Sequence, residues 1–271
     1  IINSWEAMYF DITEKRIENL VRSCRGLGID TFVLDDGWFG CRKSDNSSLG
    51  DWYIDKNKFP NGLNNIISIC KENGMSFGIW FEPEMISENS ALYRKHPDWC
   101  ISCPGREPSV CRNQLVLDMS RVEVVDYVYS VIAALLDNAN IEYLKWDMNR
   151  PLCDVYSPSL PADRQGEVPH RYMLGVYDLL ERLNKNYPNL LIEGCASGGG
   201  RFDAGMLYYE PQIWCSDNSD PSERIYIQYN TSFAYPLSTV SAHISPSPNH
   251  ANGRATPLKA RATVAMTGSF G

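Results

Sequence analysis

The stretch Ile141-Glu142-Tyr143-Leu144-Lys145-Trp146-Asp147-Met148-Asn149-Arg150 decides how the rest of the chain is read. Its apolar lead-in at Ile141, Tyr143 and Leu144 runs into Lys145, Asp147 and Asn149, spaced two apart. On a β-strand that spacing places all three side chains on one face. A cation, a carboxylate and an amide converging beyond an apolar strand make poor core and a good catalytic floor. A strand end meeting water gives the same local pattern, so the decision rests on whether the pattern recurs.

It recurs along the chain. Ile2–Tyr9 reads as a first strand. Thr31–Leu34 reads as a second, ending in Asp35-Asp36-Gly37-Trp38, and Ser76–Phe81 as a third, ending in Glu82-Pro83-Glu84. Leu115–Leu117 reads as the fourth, ending in Asp118, which makes the Lys145-x-Asp147-x-Asn149 strand the fifth. Asn189–Ile192 is the sixth, Gln212–Cys215 the seventh, ending in Ser216-Asp217-Asn218, and Val240–Ile244 the eighth. Between them lie helix-patterned stretches at Thr13–Gly26, Gly62–Glu72, Val122–Leu136, His170–Lys185 and Ser222–Phe233. The first of these has Thr13 as a cap and Ile17, Leu20 and Val21 at helical spacing.

Eight strands alternating with helices predict a single α/β domain, a (β/α)8 barrel of the TIM type, over residues 1–271. In such barrels the C-terminal ends of the strands carry the active site, and here those ends carry the carboxylates, cysteines and Gly-rich turns. A doubly wound open sheet would favour a phosphate-binding Gly-rich turn early in the chain, and none occurs there. The run Ser245-Pro246-Ser247-Pro248 reads as a loop after the last expected strand.

Composition excludes several function classes. The net charge of -8, without a cluster of Lys and Arg, argues against a nucleic-acid partner. No apolar run approaches the ~20 residues needed to span a bilayer, so no membrane partner is expected, nor is a signal peptide expected before the first strand. Nine scattered cysteines fit a reducing compartment, which predicts a cytoplasmic location. Cys100-Ile101-Ser102-Cys103 lacks the second pair that a zinc site requires. The histidines (His96, His170, His243 and His250) lie away from the acidic strand ends in sequence, so neither a metal nor a cofactor is expected.

Trp38, Trp52, Trp80 and Trp146 each sit beside or near a carboxylate. Flat apolar rings next to hydrogen-bonding carboxylates suit a sugar, with its C–H faces and rim of hydroxyls; the same rings are also ordinary core material. Asp147 and Asp217, two strand ends apart, are the candidate catalytic pair of a glycoside hydrolase. A retaining mechanism wants its carboxyl groups ~5–5.5 Å apart. Lys145 is expected to hold Asp147 ionised as a nucleophile, while Asp217, with no cation beside it in sequence, suits a proton donor. The adjacent acids Asp35 and Asp36 repel unless something binds between them. Gly198-Gly199-Gly200 reads as a tight turn that lets backbone approach a ligand.

Seven runs together resemble the α-galactosidases of glycoside hydrolase family 36. They are Asn3-Ser4-Trp5-Glu6-Ala7, Leu34 to Gly40 (LDDGWFG), Gly50-Asp51-Trp52, Gly78 to Glu84 (GIWFEPE), Lys145 to Arg150 (KWDMNR), Cys195 to Arg201 (CASGGGR) and Ser216-Asp217-Asn218. The resemblance implies Asp147 as nucleophile and Asp217 as general acid/base. It implies Asp35, Asp36 and Trp80 around the sugar's 4- and 6-hydroxyls, Lys145 and Arg112 near the 3- and 4-hydroxyls, and Asn149, Cys195 and the backbone at Gly198 facing the 2-hydroxyl. The implied activity is retaining exo-hydrolysis of terminal α-1,6-galactose from melibiose- and raffinose-type oligosaccharides, by an enzyme that is a homo-oligomer in its full-length form. Family members flank the barrel with a β-sandwich domain before it and a smaller β domain after it; residues 1–271 are expected to be the barrel alone. Two rival readings are a non-catalytic galactoside-binding fragment and an α-N-acetylgalactosaminidase, although the small Cys195 suits a plain 2-hydroxyl better than an acetamido group.

Overall fold

The computed structural model describes all 271 residues. Its first half runs β1 (Ile2–Asn3), α1 (Trp5–Met8), α2 (Glu14–Ser23), β2 (Thr31–Leu34), α3 (Asn64–Glu72), β3 (Ser76–Phe81), β4 (Met85–Ile86), α4 (Ala91–Lys95), β5 (Leu115–Val116) and α5 (Val122–Asn138). Its second half runs β6 (Tyr143–Trp146), α6 (Val168–Asn186), β7 (Leu191–Gly194), α7 (Ala204–Tyr209), β8 (Gln212–Trp214), α8 (Pro221–Thr231), β9 (Val240–Ala242), α9 (Leu258–Ala265) and β10 (Ser269–Phe270). Caps explain several helix starts. The Thr13 hydroxyl accepts from Arg16 N at the head of α2, as expected, and the Asp203 carboxylate accepts from Gly205 N and Met206 N at the head of α7.

Eight strands form one all-parallel sheet in the order β1-β2-β3-β6-β7-β8-β9-β10. The order never doubles back, so the sheet has no switch point and is not doubly wound. The two outer strands approach each other: the amino group of Ile1 donates to the carbonyl of Phe270 at 3.1 Å. Inside the curl, Tyr143 and Lys145 of β6 face Glu193 of β7 and Gln212 of β8. The Tyr143 hydroxyl donates to Glu193 Oε2 at 2.6 Å and accepts from Gln212 Nε2 at 2.5 Å. Outside it, α5 turns Val124, Val125, Val128 and Ile132 inward, and α6 buries Val176, Leu179, Leu180 and Leu183. Spacings of three and four make these the core-facing stripes, and each buried aliphatic contributes about 1.5–3 kcal/mol.

Two strand assignments differ from expectation. Leu115–Val116 is not a member of the sheet; it pairs antiparallel with Met85–Ile86 in a separate two-stranded ribbon. A short apolar run is all that sequence shows there, and periodicity cannot tell which strand it will pair with. Asp118 accordingly does not face the mouth of the sheet; it is buried and accepts from Ser120 N and Ser157 Oγ. The eighth sheet strand is Ser269–Phe270, two residues between glycines, with no β-branched side chain to announce it. Asp147 therefore follows the fourth strand of the sheet and Asp217 the sixth, still two apart. The first strand also stops early, at Asn3, because the Asn3 side-chain carbonyl takes Trp5 N at 2.7 Å and turns the chain into α1.

Candidate active site

The strand ends of the sheet open into a cavity of about 340 Å³. Asp35, Asp36, Trp80, Arg112, Lys145, Asp147, Asn149, Cys195 and Asp217 all line it. Of the ten expected site residues only Gly198 does not.

The β6–β7 ladder places the first carboxylate. Asp147 N donates to Phe81 O, Cys195 N donates to Trp146 O and Met148 N donates to Cys195 O, so Asp147 and Cys195 leave adjacent strands side by side. The buried Asp147 carboxylate then accepts from Trp80 Nε1 at 3.1 Å, Asn149 Nδ2 at 2.7 Å and Met148 N at 2.9 Å. Three donors from three directions fix its orientation. Lys145 is not one of them, contrary to expectation: its ammonium donates to Asp35 Oδ2 at 2.9 Å. Burial opposes the charge on Lys145 most strongly, but Asp35, Cys195, Glu193 and Asp147 together outweigh it and hold the ammonium above its ordinary range.

The acidic pair Asp35-Asp36 is neutralised from within the protein. Asp35 takes Asn3 Nδ2 at 2.7 Å as well as Lys145, and its backbone N–H donates to Ser4 Oγ. Asp36 takes a bidentate grip from Arg42, Nε to Oδ1 at 2.6 Å and Nη2 to Oδ2 at 2.8 Å. Arg42 is buried between the Phe10 and Phe39 rings. Desolvation nevertheless pushes Asp36 above the usual carboxylate range, with Arg42 opposing it. Separated by 110 positions, Asp35 and Lys145 show no local signal of their pairing.

Asp217 stands differently. It is exposed at the cavity wall, and its carboxylate accepts one hydrogen bond, from Trp214 Nε1 at 3.0 Å. Lost hydration in the cleft raises its pKa first, and the Asp147 carboxylate across the cavity raises it further, while Trp214, Lys145 and Arg112 work the other way. The direction is the one expected for a proton donor. The glycine run packs against the segment that carries this residue. Gly198 has φ +88°, and a Cβ there would lie 2.8 Å from Ser216 Cα, while one at Gly199 would lie 2.7 Å from Cys215 O. Only glycine lets the turn after β7 pack against the segment that carries Asp217.

Several lining residues were not anticipated. Glu82 is buried beneath Asp147; its two oxygens accept from Asn149 N at 2.6 Å and Gln114 Nε2 at 3.1 Å. Burial, then the Asp147 charge, pushes its carboxyl up to about 8. Glu193 lies on the cavity floor next to Lys145 in register, and burial raises it too. Glu6, His243 and His250 also line the cavity, so two histidines distant from the acidic strand ends in sequence meet them in space. Burial and the charges of Lys145 and Arg224 lower His243 to about 3, so it is neutral. The strand-end rule pointed at Glu82 and Glu193; nothing local pointed at Arg42 or His243.

The quoted motifs divide between site and scaffold. Trp38 and Trp146 are fully buried and belong to the core. Glu84 faces the helical layer, taking Trp146 Nε1, the Tyr172 hydroxyl and both terminal nitrogens of Arg201. Asp51 caps α4 through Ala91 N and Leu92 N.

A cavity whose wall bears one clamped carboxylate and one loosely held carboxyl of raised pKa can deliver a nucleophile and a proton to the same bond. The family model described as Melibiase matches residues 1–271. Alpha-galactosidase Mel36A of Lactobacillus acidophilus is 54% identical over all of this chain, which covers 37% of that protein. Alpha-galactosidase AgaA of Geobacillus stearothermophilus is 53% identical over the whole chain and 37% of its own length. A crystal structure of a substituted AgaA in complex with raffinose superposes with TM-score 0.98 at 52% identity, over 100% of this chain and 38% of that one. The chain thus spans a little over a third of the length of these relatives.

Proposed function

The chain belongs to the melibiase family, and from that premise we propose that its cavity is the catalytic centre of a retaining exo-α-galactosidase. The observation that carries this reading is the contrast between Asp147, gripped by three donors, and Asp217, held by one and raised in pKa, on the wall of one cavity. Asp147 attacks the anomeric carbon of a terminal galactose while Asp217 gives its proton to the departing glycosidic oxygen. The C–O bond breaks and a galactosyl ester forms on Asp147. A water molecule then attacks the same carbon, Asp217 takes its proton, and the Asp147 carboxylate leaves. Two inversions retain the configuration.

Asp35 and Asp36, each neutralised by its own cation, present fixed acceptors and the Lys145 ammonium a fixed donor, which suits the hydroxyl pattern of galactose. The axial 4-hydroxyl is read by the paired acids and Trp80, the 3- and 4-hydroxyl region by Lys145 and Arg112, and the 2-hydroxyl by Asn149, Cys195 and the backbone at Gly198. The buried Cys195 leaves room for a hydroxyl and favours galactosides over N-acetylgalactosaminides. The substituted AgaA bound to raffinose supports raffinose- and melibiose-type oligosaccharides as substrates. The in-order parallel strands and the contact between Ile1 and Phe270 support a closed (β/α)8 barrel, with residues 1–271 as its catalytic part. Nine unpaired cysteines support a cytoplasmic location, and a homo-oligomer is proposed for the full-length protein.

The test is Asp147→Ala in the full-length protein. Turnover of an aryl α-galactoside should vanish, and added azide should restore product as the inverted β-galactosyl azide. Unchanged activity would sink the mechanism, and galactose binding without turnover in the parent protein would leave a binding module.

A further inference from the structure

Asp217 is held by one N–H, yet the segment around it is anchored by several hydrogen bonds from one side chain. The anchor is Arg224, on the first turns of α8 and buried. Its Nε donates to Asn218 O at 2.9 Å and its Nη2 to Ser216 O at 2.6 Å, the carbonyls on either side of Asp217. Its Nη1 donates to Ser241 O of β9 at 3.1 Å and to Cys215 Sγ at 2.8 Å. The guanidinium also lies 4.1 Å from the Trp214 ring centroid, and Trp214 is the residue whose indole N–H holds the Asp217 carboxylate. One planar cation therefore fixes both the backbone that carries Asp217 and the ring that aims it. None of its contacts reaches Asp147, whose side-chain partners come from β3 and the turn after β6.

We infer that Arg224 is a positioning residue for proton transfer by Asp217, acting through the Ser216 and Asn218 carbonyls and through the Trp214 ring. This rests on the reading of Asp217 as the acid/base. Arg224 touches no sugar; it keeps the Asp217 carboxyl within reach of the glycosidic oxygen. A displaced proton donor penalises only the steps that need a proton moved. Departure of a sugar alkoxide needs one and departure of a highly acidic phenol does not. Hydrolysis of the galactosyl ester needs Asp217 again, as base.

The experiment compares Arg224→Lys and Arg224→Met with the parent, in the full-length protein, on melibiose and on dinitrophenyl α-galactoside. The Arg224→Met change should lower kcat/KM on melibiose about 30-fold, a part of the roughly 10²–10⁴-fold that general acid catalysis supplies. On the dinitrophenyl substrate kcat/KM should hold within about threefold, while kcat and KM fall together as the galactosyl enzyme accumulates. Arg224→Lys should recover part of the melibiose loss. Equal losses on both substrates, or none on either, would overturn the inference. Trp214→Phe keeps an aromatic face for the guanidinium and removes the N–H, and decides the matter should Arg224→Met fail to fold: it should show the same leaving-group selectivity at smaller size, and uniform loss would overturn the proposal. A parent protein inactive on both substrates would instead remove the galactosidase reading itself.

Discussion

The two halves of the cavity wall are built on opposite plans. The half formed by β2, β3 and β6 is buried and cross-bonded: Asp36 on Arg42, Asp35 on Lys145, Asp147 on Trp80 and Asn149, Glu82 on Gln114 and the Asn149 backbone. The half formed by the ends of β8 and β9 exposes its carboxyl and anchors it from behind, by glycine packing and one arginine. The first plan suits a nucleophile and a sugar-binding floor, which must not move. The second suits a group that shuttles a proton and alternates between two charge states. The difference implies that damage to the first half costs stability as well as rate, and damage at the tip of the second costs rate alone.

The sharpest way to break that contrast is at the two aspartates. Asp147→Ala should lower turnover by on the order of 10⁴-fold or more, measured with an aryl α-galactoside. Asp217→Asn should cost roughly 10²–10⁴-fold on oligosaccharides and far less on an activated aryl leaving group. Its unfolding free energy in urea should stay within about 0.5 kcal/mol of the parent, as expected for an exposed side chain. A large stability loss in Asp217→Asn would erase the distinction between the halves.

The next effect lies in the rigid half. Arg42→Met strands the buried Asp36 carboxylate and should destabilise by about 3–5 kcal/mol in chemical denaturation. The pH dependence of stability sharpens the same point. The Glu82 carboxyl rises from about 4.5 to about 8 on folding, so between those values the folded state keeps a proton that the unfolded state has released. Stability from this group is full at low pH and falls as pH rises through that window. Glu82→Gln, which cannot ionise, should therefore lose less stability between pH 5 and 8 than the parent, by about a kcal/mol or more. Identical slopes in urea titrations across that range would show that Glu82 ionises freely in the native state.

How much of this was legible before the fold was known follows from the range of each interaction. Strands β2 and β3 could be read to the residue, because apolar runs that end in polar clusters are local features. The Leu115 run was misassigned for the same reason: four apolar or polar neighbours cannot say whether the chain will pair with Met85 or join the sheet. Ser269–Phe270 was missed because its strand character comes wholly from pairing with β9. Trp80 was expected to flank the sugar, and its ring does line the cavity; that its N–H binds Asp147 is a contact across 67 positions.

Sequence alone was sufficient to name the carboxylates at the strand ends, their alternation with helices, and the family those runs resemble. These follow from periods of two and of 3.6, which act within a few residues. Only the tertiary structure assigned partners: Lys145 to Asp35 and not to Asp147, Arg42 to Asp36, and the glycine run to the back of Asp217. Charge and shape complementarity operate through space, and the curl of the sheet brings together residues whose separation along the chain carries no trace of their contact.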